Sequence, residues 1–194
     1  GYMGQDDEKC LPIIAATDSH TASYASTALP TKAVGDYCVA YMVGWIRNLD
    51  HKRLLWRGDN EPTLLATRRA ISLSMPEVEF VPRDSPEGDH AANGFAEGAV
   101  REIKAEVRVL KSSLEEKLGK RLSSDDPLLA WIPRYAAAML SRYREGSDGR
   151  TAEQRRTGRR WKKPVVHFGE RLLSRPLVFG KKDKHATDPL ILDG

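Results

Sequence analysis

The sequence predicts an α/β fold, a mixed sheet flanked by helices, and three observations carry that prediction. Short β-rich segments precede helical ones, a strand–helix–strand run between residues 53 and 81 calls for locally parallel pairing, and one long amphipathic segment carries a continuous apolar stripe. The 194 residues, 40% hydrophobic and 30% charged, match globular usage and are enough for one domain or slightly more. Disordered, collagenous and disulfide-dense classes are excluded by that composition.

Taken in order, LPIIAAT (Leu11 to Thr17) is short, apolar and β-rich at its centre, and Ala22 to Leu29 alternates small polar and apolar residues before Pro30. The two are expected to form an antiparallel pair turning at Asp18-Ser19-His20. Tyr37 to Arg47 has helical apolar spacing and ends near Asn48 to His51, a helix packed on the sheet. RLLWR (Arg53 to Arg57) is a strand ending at Gly58-Asp59-Asn60, Pro62 opens a helix running to about Leu73, and EVEFV (Glu77 to Val81) is a strand between two prolines. Arg83 to Gly94 is rich in Gly, Pro, Asp and Asn and is expected to be a mobile loop that includes His90. A long helix follows, from about Ala92 to Lys120, with Ala96, Val100, Ile103, Val107, Leu110, Leu114 and Leu118 as its apolar stripe. A second helix, Pro127 to Arg144, is expected to bury Trp131, as the sheet is expected to bury Trp56.

The longest apolar run, about Tyr37 to Ile46, is half of what a bilayer requires, so no membrane partner is expected. The chain opens on Gly1 without a leader-like segment and is expected to be a piece of a longer polypeptide. Cys10 and Cys38 have no CxxC spacing and no adjacent His pair, so they are expected to be two buried thiols.

Charge divides the chain. Residues 1–149 carry 19 Lys and Arg against 22 Asp and Glu, whereas residues 150–184 carry 12 against 3. A core over 1–149 and a basic linker with the start of a further module over 150–194 are therefore expected, the basic stretch being either a solvated linker or a contact for a phosphate backbone.

Asp18, Asp59 and Glu97 stand where strand ends or a helix start would present carboxylates to one cleft. Each alone has an ordinary structural use, as a turn former or a complement to a helix dipole. Together, carboxylates of this kind suit Mg²⁺, which takes one or two of them plus phosphate oxygens, and a metal pair can drive an in-line phosphoryl displacement. At about 100° per residue, Arg101, Lys104, Arg108 and Lys111 fall within roughly 40° of Glu97, a basic ridge suited to a phosphate backbone.

RLLWRGDNEP (Arg53 to Pro62), SPEGDHAANGFAE (Ser85 to Glu97) and the helix after them resemble the catalytic core of retroviral and long-terminal-repeat retrotransposon integrases, with 37 residues between Asp59 and Glu97. The resemblance covers about Leu11 to Arg150. It implies a ribonuclease H-like fold, a triad of two Asp and one Glu binding two Mg²⁺ or Mn²⁺ ions, and insertion of element DNA into target DNA. In that chemistry a water trims the 3′ end and the exposed hydroxyl attacks the target, with no covalent protein intermediate. Carried over by motif, Asp59 is the second carboxylate and Glu97 the third. Asn60 supports the Asp59 turn, and Asn93 and Gly94 close the loop before Glu97.

Gly1-Tyr2-Met3-Gly4 resembles the tail of the family's first strand, so the chain is expected to begin just after the first Asp, with Asp6 and Asp7 as turn residues. Asp18 is the alternative first metal ligand, although strand order argues for a turn former beside Thr21. DNA, both element end and target, is the implied partner. A homo-multimer on DNA and a nuclear location follow from the same resemblance. Two other readings fit the residues, a catalytically inactive or domesticated DNA-binding or assembly remnant and a ribonuclease H-like nuclease.

Overall fold

The computed structural model describes residues 2–3, 11–31, 33, 35–58, 60–83, 90–174 and 192–193. The elements are β1 (Tyr2–Met3), β2 (Leu11–Thr17), β3 (Tyr24–Ala28), α1 (Asp36–Leu49), β4 (Arg53–Trp56), α2 (Pro62–Leu73), β5 (Glu79–Pro82), α3 (His90–Leu118), α4 (Pro127–Tyr143), α5 (Ala152–Thr157), β6 (Leu173–Ser174) and β7 (Leu192–Asp193). The first compact unit runs to Lys163, so it takes in α5 and the residues just after it, past the composition boundary at Gly149; Pro164–Gly194 is a second unit.

Strands β1, β2 and β3 form an antiparallel sheet, with Ile13 opposite Ala28 and Thr17 opposite Tyr24. β4 and β5 are parallel, Arg53 beside Glu79 and Trp56 beside Pro82, as a strand–helix–strand unit requires. Where one mixed sheet is expected, the described residues of the first unit form these two separate sheets with no pairing between them, and β6 and β7 make a two-stranded antiparallel sheet in the second.

β3 reads Tyr-Ala-Ser-Thr-Ala and is buried along most of its length, Ala25 and Ser26 completely. Small side chains let helices approach it closely. It is also an edge strand, and its free backbone groups are met by helix side chains. The Tyr41 hydroxyl of α1 accepts from Ser26 N (3.1 Å) and donates to Ser26 O (2.9 Å), and Ser141 of α4 accepts from Tyr24 N (2.9 Å). Such cover removes the exposed ladder that an open edge would offer to another chain.

Helix α1 buries Cys38, Met42, Val43, Ile46 and Leu49, one face at three- and four-residue steps. With Ile14, Ala25, Ile71 and Met75 most of these make the main core, against which Trp56 and Phe80 pack from the parallel pair. α3 and α4 pack on each other and on β2 and β3. α4 starts with Asp126 accepting from Leu128 N (2.9 Å) and with Pro127 in its first turn, where a missing N–H costs nothing.

Three expectations shift. α3 begins at His90, so His90, Asn93 and Gly94 belong to the helix rather than to the preceding loop; residues 84–89 of that loop lie outside the described set. The α3 stripe is buried at Ile103, Val107 and Leu114 and half-buried at Val100 and Leu110, while Ala96 and Leu118 at its ends are exposed; Ala99, outside the expected stripe, is buried. Trp131 is 58% exposed, because α4 turns Leu129, Ile132, Ala136 and Ala137 inward instead.

Candidate catalytic carboxylates and nucleic-acid interface

The residues expected to form the site fall on three segments: the C-terminal end of the parallel pair, the start of α3 and the turn after β2. At the first, Arg83 N donates to Trp56 O (2.9 Å), extending the ladder, and the chain then passes Gly58 toward Asn60, which is exposed. Asp59 itself lies outside the described residues, as do the side chain of Asn93 and all of Asp6, Asp7 and Cys10.

Glu97 sits on the second turn of α3 and is exposed, as are Gly94, Phe95 and Ala96 around it. Its carboxylate makes no hydrogen bond or ion pair with a described residue. Arg101 and Arg108 are exposed and Lys104 and Lys111 half-buried along the same face. Arg108 Nε donates to Lys104 O (3.2 Å), which draws its guanidinium along the helix, and Lys111 lies 3.7 Å from Glu115. A half-buried pair at that separation holds Lys111 only loosely and leaves it available.

Asp18 is placed differently. Its Oδ2 accepts from Thr21 N (2.8 Å) and from Thr21 Oγ1 (2.6 Å), and its Oδ1 lies 3.2 Å from His51 Nε2. Burial by itself pushes this carboxyl up, but the Thr21 hydroxyl and amide and the His51 ring outweigh it, and the net effect holds Asp18 below the usual carboxylate range. Both oxygens are thus engaged, Oδ2 in closing the β2–β3 turn, where Ala22 adopts a left-handed φ of 60°, and Oδ1 at His51 just after α1. The signal for Thr21 is local spacing, but His51 is 33 residues away and left none in the sequence. Among the described residues no three Asp, Glu, His or Cys side chains cluster as metal ligands do.

The opposite side of α3 holds a feature that sequence reasoning missed. A cleft of about 390 Å³ is bounded by Gly94, Phe95, Gly98 and Glu102 of α3, by Tyr24 and by Arg144. Glu102 bonds to the Tyr24 hydroxyl and pairs with Arg144, and Arg144 Nη1 also donates to Tyr24 Oη (2.6 Å). This node ties α3, β3 and the end of α4 together about 140° around the helix from Glu97. Nearby, Arg155 of α5 donates to Asp148 (2.5 and 3.1 Å) and to Thr21 O (3.1 Å). The guanidinium holds Asp148 down to about 2, and a side chain at Gly146 would run into it.

In class, then, the described chain is an α/β protein with an antiparallel sheet, a parallel strand–helix–strand unit and packed helices. No family model matches the sequence, and no curated protein does. Among solved structures it is similar to the catalytic core domain of BIV integrase, with a TM-score of 0.49 and 16% identity over 75% of this chain and 85% of that one.

Proposed function

We propose that the chain is the catalytic core of an integrase, a metal-dependent polynucleotidyl transferase that trims DNA 3′ ends and joins them to target DNA. The observation that carries this reading is the joint motif on its scaffold. Arg53 to Pro62 leaves a parallel strand as RGDNEP, and Asn93-Gly94-Phe95-Ala96-Glu97 opens a helix whose exposed Glu97 heads a face bearing Arg101, Lys104, Arg108 and Lys111.

The donor set fits a hard divalent cation. Glu97 offers a carboxylate with no partner among the described residues, and Asp59 is the second carboxylate by motif, whereas Asp18 already has both oxygens engaged. Asp59 and Glu97 would hold Mg²⁺ or Mn²⁺, which when bound supplies an activated hydroxyl and stabilises the leaving oxygen. Asn60 supports the turn that carries Asp59. The basic ridge holds the phosphate backbone and sets its register beside the carboxylates, work that needs no base contact. On the same reading the partners are an element end and target DNA, the working form is a homo-multimer on DNA, and the place of action is the nucleus.

A joining assay with a labelled DNA end, a plasmid target and Mg²⁺ tests it in the parent polypeptide. Glu97→Gln is expected to abolish joining while circular dichroism and DNA affinity stay as in the parent; joining at the parent rate would overturn the assignment. Changing Arg101, Lys104, Arg108 and Lys111 to Ala together should flatten the dependence of log affinity on log salt by about 3 to 4, at roughly 0.9 per phosphate contact. An unchanged slope would remove the ridge from the interface.

A further inference from the structure

Residues 150–163 carry seven Lys and Arg against the single acid Glu153, and the structure divides the six that follow Arg150 into two groups. Arg155, Arg156 and Arg160 are neutralised at home: Arg155 by Asp148, Arg156 by Glu153 (2.9 Å) and Arg160 by Glu145 (2.9 Å). Arg156 Nη1 also donates to Asn48 O at the end of α1 (3.3 Å). These bonds fasten the segment to the first compact unit. Arg159, Lys162 and Lys163 are exposed, and none forms an ion pair with a described residue.

Between them stands Trp161, half-buried, with the Arg142 guanidinium of α4 4.0 Å from its ring centroid and the Lys163 ammonium 5.7 Å away. Gly158, at φ +75°, ends α5 and turns the chain into this run. A stacked indole restricts a segment that would otherwise lose far more chain entropy on binding.

We infer that Arg159, Lys162 and Lys163, held against α4 by Trp161, form a cationic surface for the phosphate backbone of duplex DNA, separate from the Glu97 ridge. The unpaired charges select a polyanion. The one aromatic of residues 150–163 has Arg142 over its ring, so it offers no platform for stacking single-stranded bases and no apolar side chain for entering a bilayer. A duplex backbone, read by cations alone, is the partner left. The surface needs neither Asp59 nor Glu97, so it stands or falls independently of the catalytic reading.

Equilibrium binding of the full chain to a fluorescent random-sequence 30-mer duplex over a salt series tests this. Changing Arg159, Lys162 and Lys163 together to Ala is expected to weaken binding at least tenfold at low salt and to lower the salt slope by about 2 to 3. Trp161→Ala, which leaves the net charge unchanged, should weaken binding several-fold, and Trp161→Phe should restore most of it. If Trp161→Ala unfolds, the triple variant and Trp161→Phe still decide the matter. An unchanged slope in the triple variant, or equal loss of slope for single-stranded RNA or anionic phosphatidylserine vesicles, would overturn the proposal.

Discussion

Asp18 illustrates how a single carboxylate can look catalytic and act structurally. It serves the amide and hydroxyl of Thr21, which is 3% exposed, and faces His51. Asp18→Ala is expected to destabilise the fold by about 1 to 3 kcal/mol, the cost of leaving a buried donor without its acceptor, measurable as a lower urea midpoint. Because the folded-state pKa is lowered, the Asp18 contribution is fully present above the unfolded carboxylate range and is lost as pH falls through the lower folded value. Urea midpoints between pH 5 and pH 2 should therefore drop less in Asp18→Ala than in the parent. Cys38, 3% exposed and with its thiol pushed up by burial, should react with a thiol reagent only on unfolding, measured in a Cys10→Ser background. The Asp18-Thr21 turn was legible because its partners are three residues apart. The His51 contact was not, since only the packing of α1 against the sheet creates it.

For whole helices, apolar periodicity gives the phase of a face but not where its neighbours stop. On α3 the middle of the stripe is buried, Ile103 completely, whereas residues 94–97 stand in solvent with Glu97 among them. Ile103→Ala should cost about 2 to 5 kcal/mol in chemical denaturation, while Ala96→Ser should stay within about 0.5 kcal/mol. On α4 apolar residues occupy more than one face, and the sequence puts Trp131 on the one expected to be buried. β3, with its small side chains, decides the matter by accepting the side of Ala136 and Ala137 and leaving Trp131 outside. The strand–helix–strand unit was the most legible part, because Pro62 and the bounding prolines at 76 and 82 punctuate it. Its helix bounds, Pro62–Leu73, are those the sequence predicts.

Across the whole molecule, composition located the change of character near Gly149 but not the role of α5. Thr151 and Ala152 are buried, and Arg155 reaches back to Thr21 O. Ending the chain after Lys163 should leave the thermal midpoint of the first unit unchanged, while ending it after Gly149 should remove at least about 2 to 3 kcal/mol, because the hydrogen bonds of Arg155 and Arg156 to the rest of the unit and the burial of Thr151 and Ala152 go with α5. Equal midpoints for the two truncations would show that α5 adds nothing to the core. The motif residues of the proposed site rest on the sequence alone, whereas the Tyr24–Glu102–Arg144 node left no signal there, because its members are as much as 120 residues apart. That separation also bears on how the chain is made. Tyr41 can cover the edge of β3 at Ser26 early, but the Tyr24 end stays uncovered until Ser141 and Arg144 have left the ribosome, 117 and 120 residues after Tyr24. At about 5 to 20 residues per second, that is a window of roughly 6 to 24 s during which a nascent chain exposes an apolar strand edge. Synthesis is thus when this protein is most open to aggregation and to capture by a chaperone, and slowing translation between β3 and α4 would widen that window.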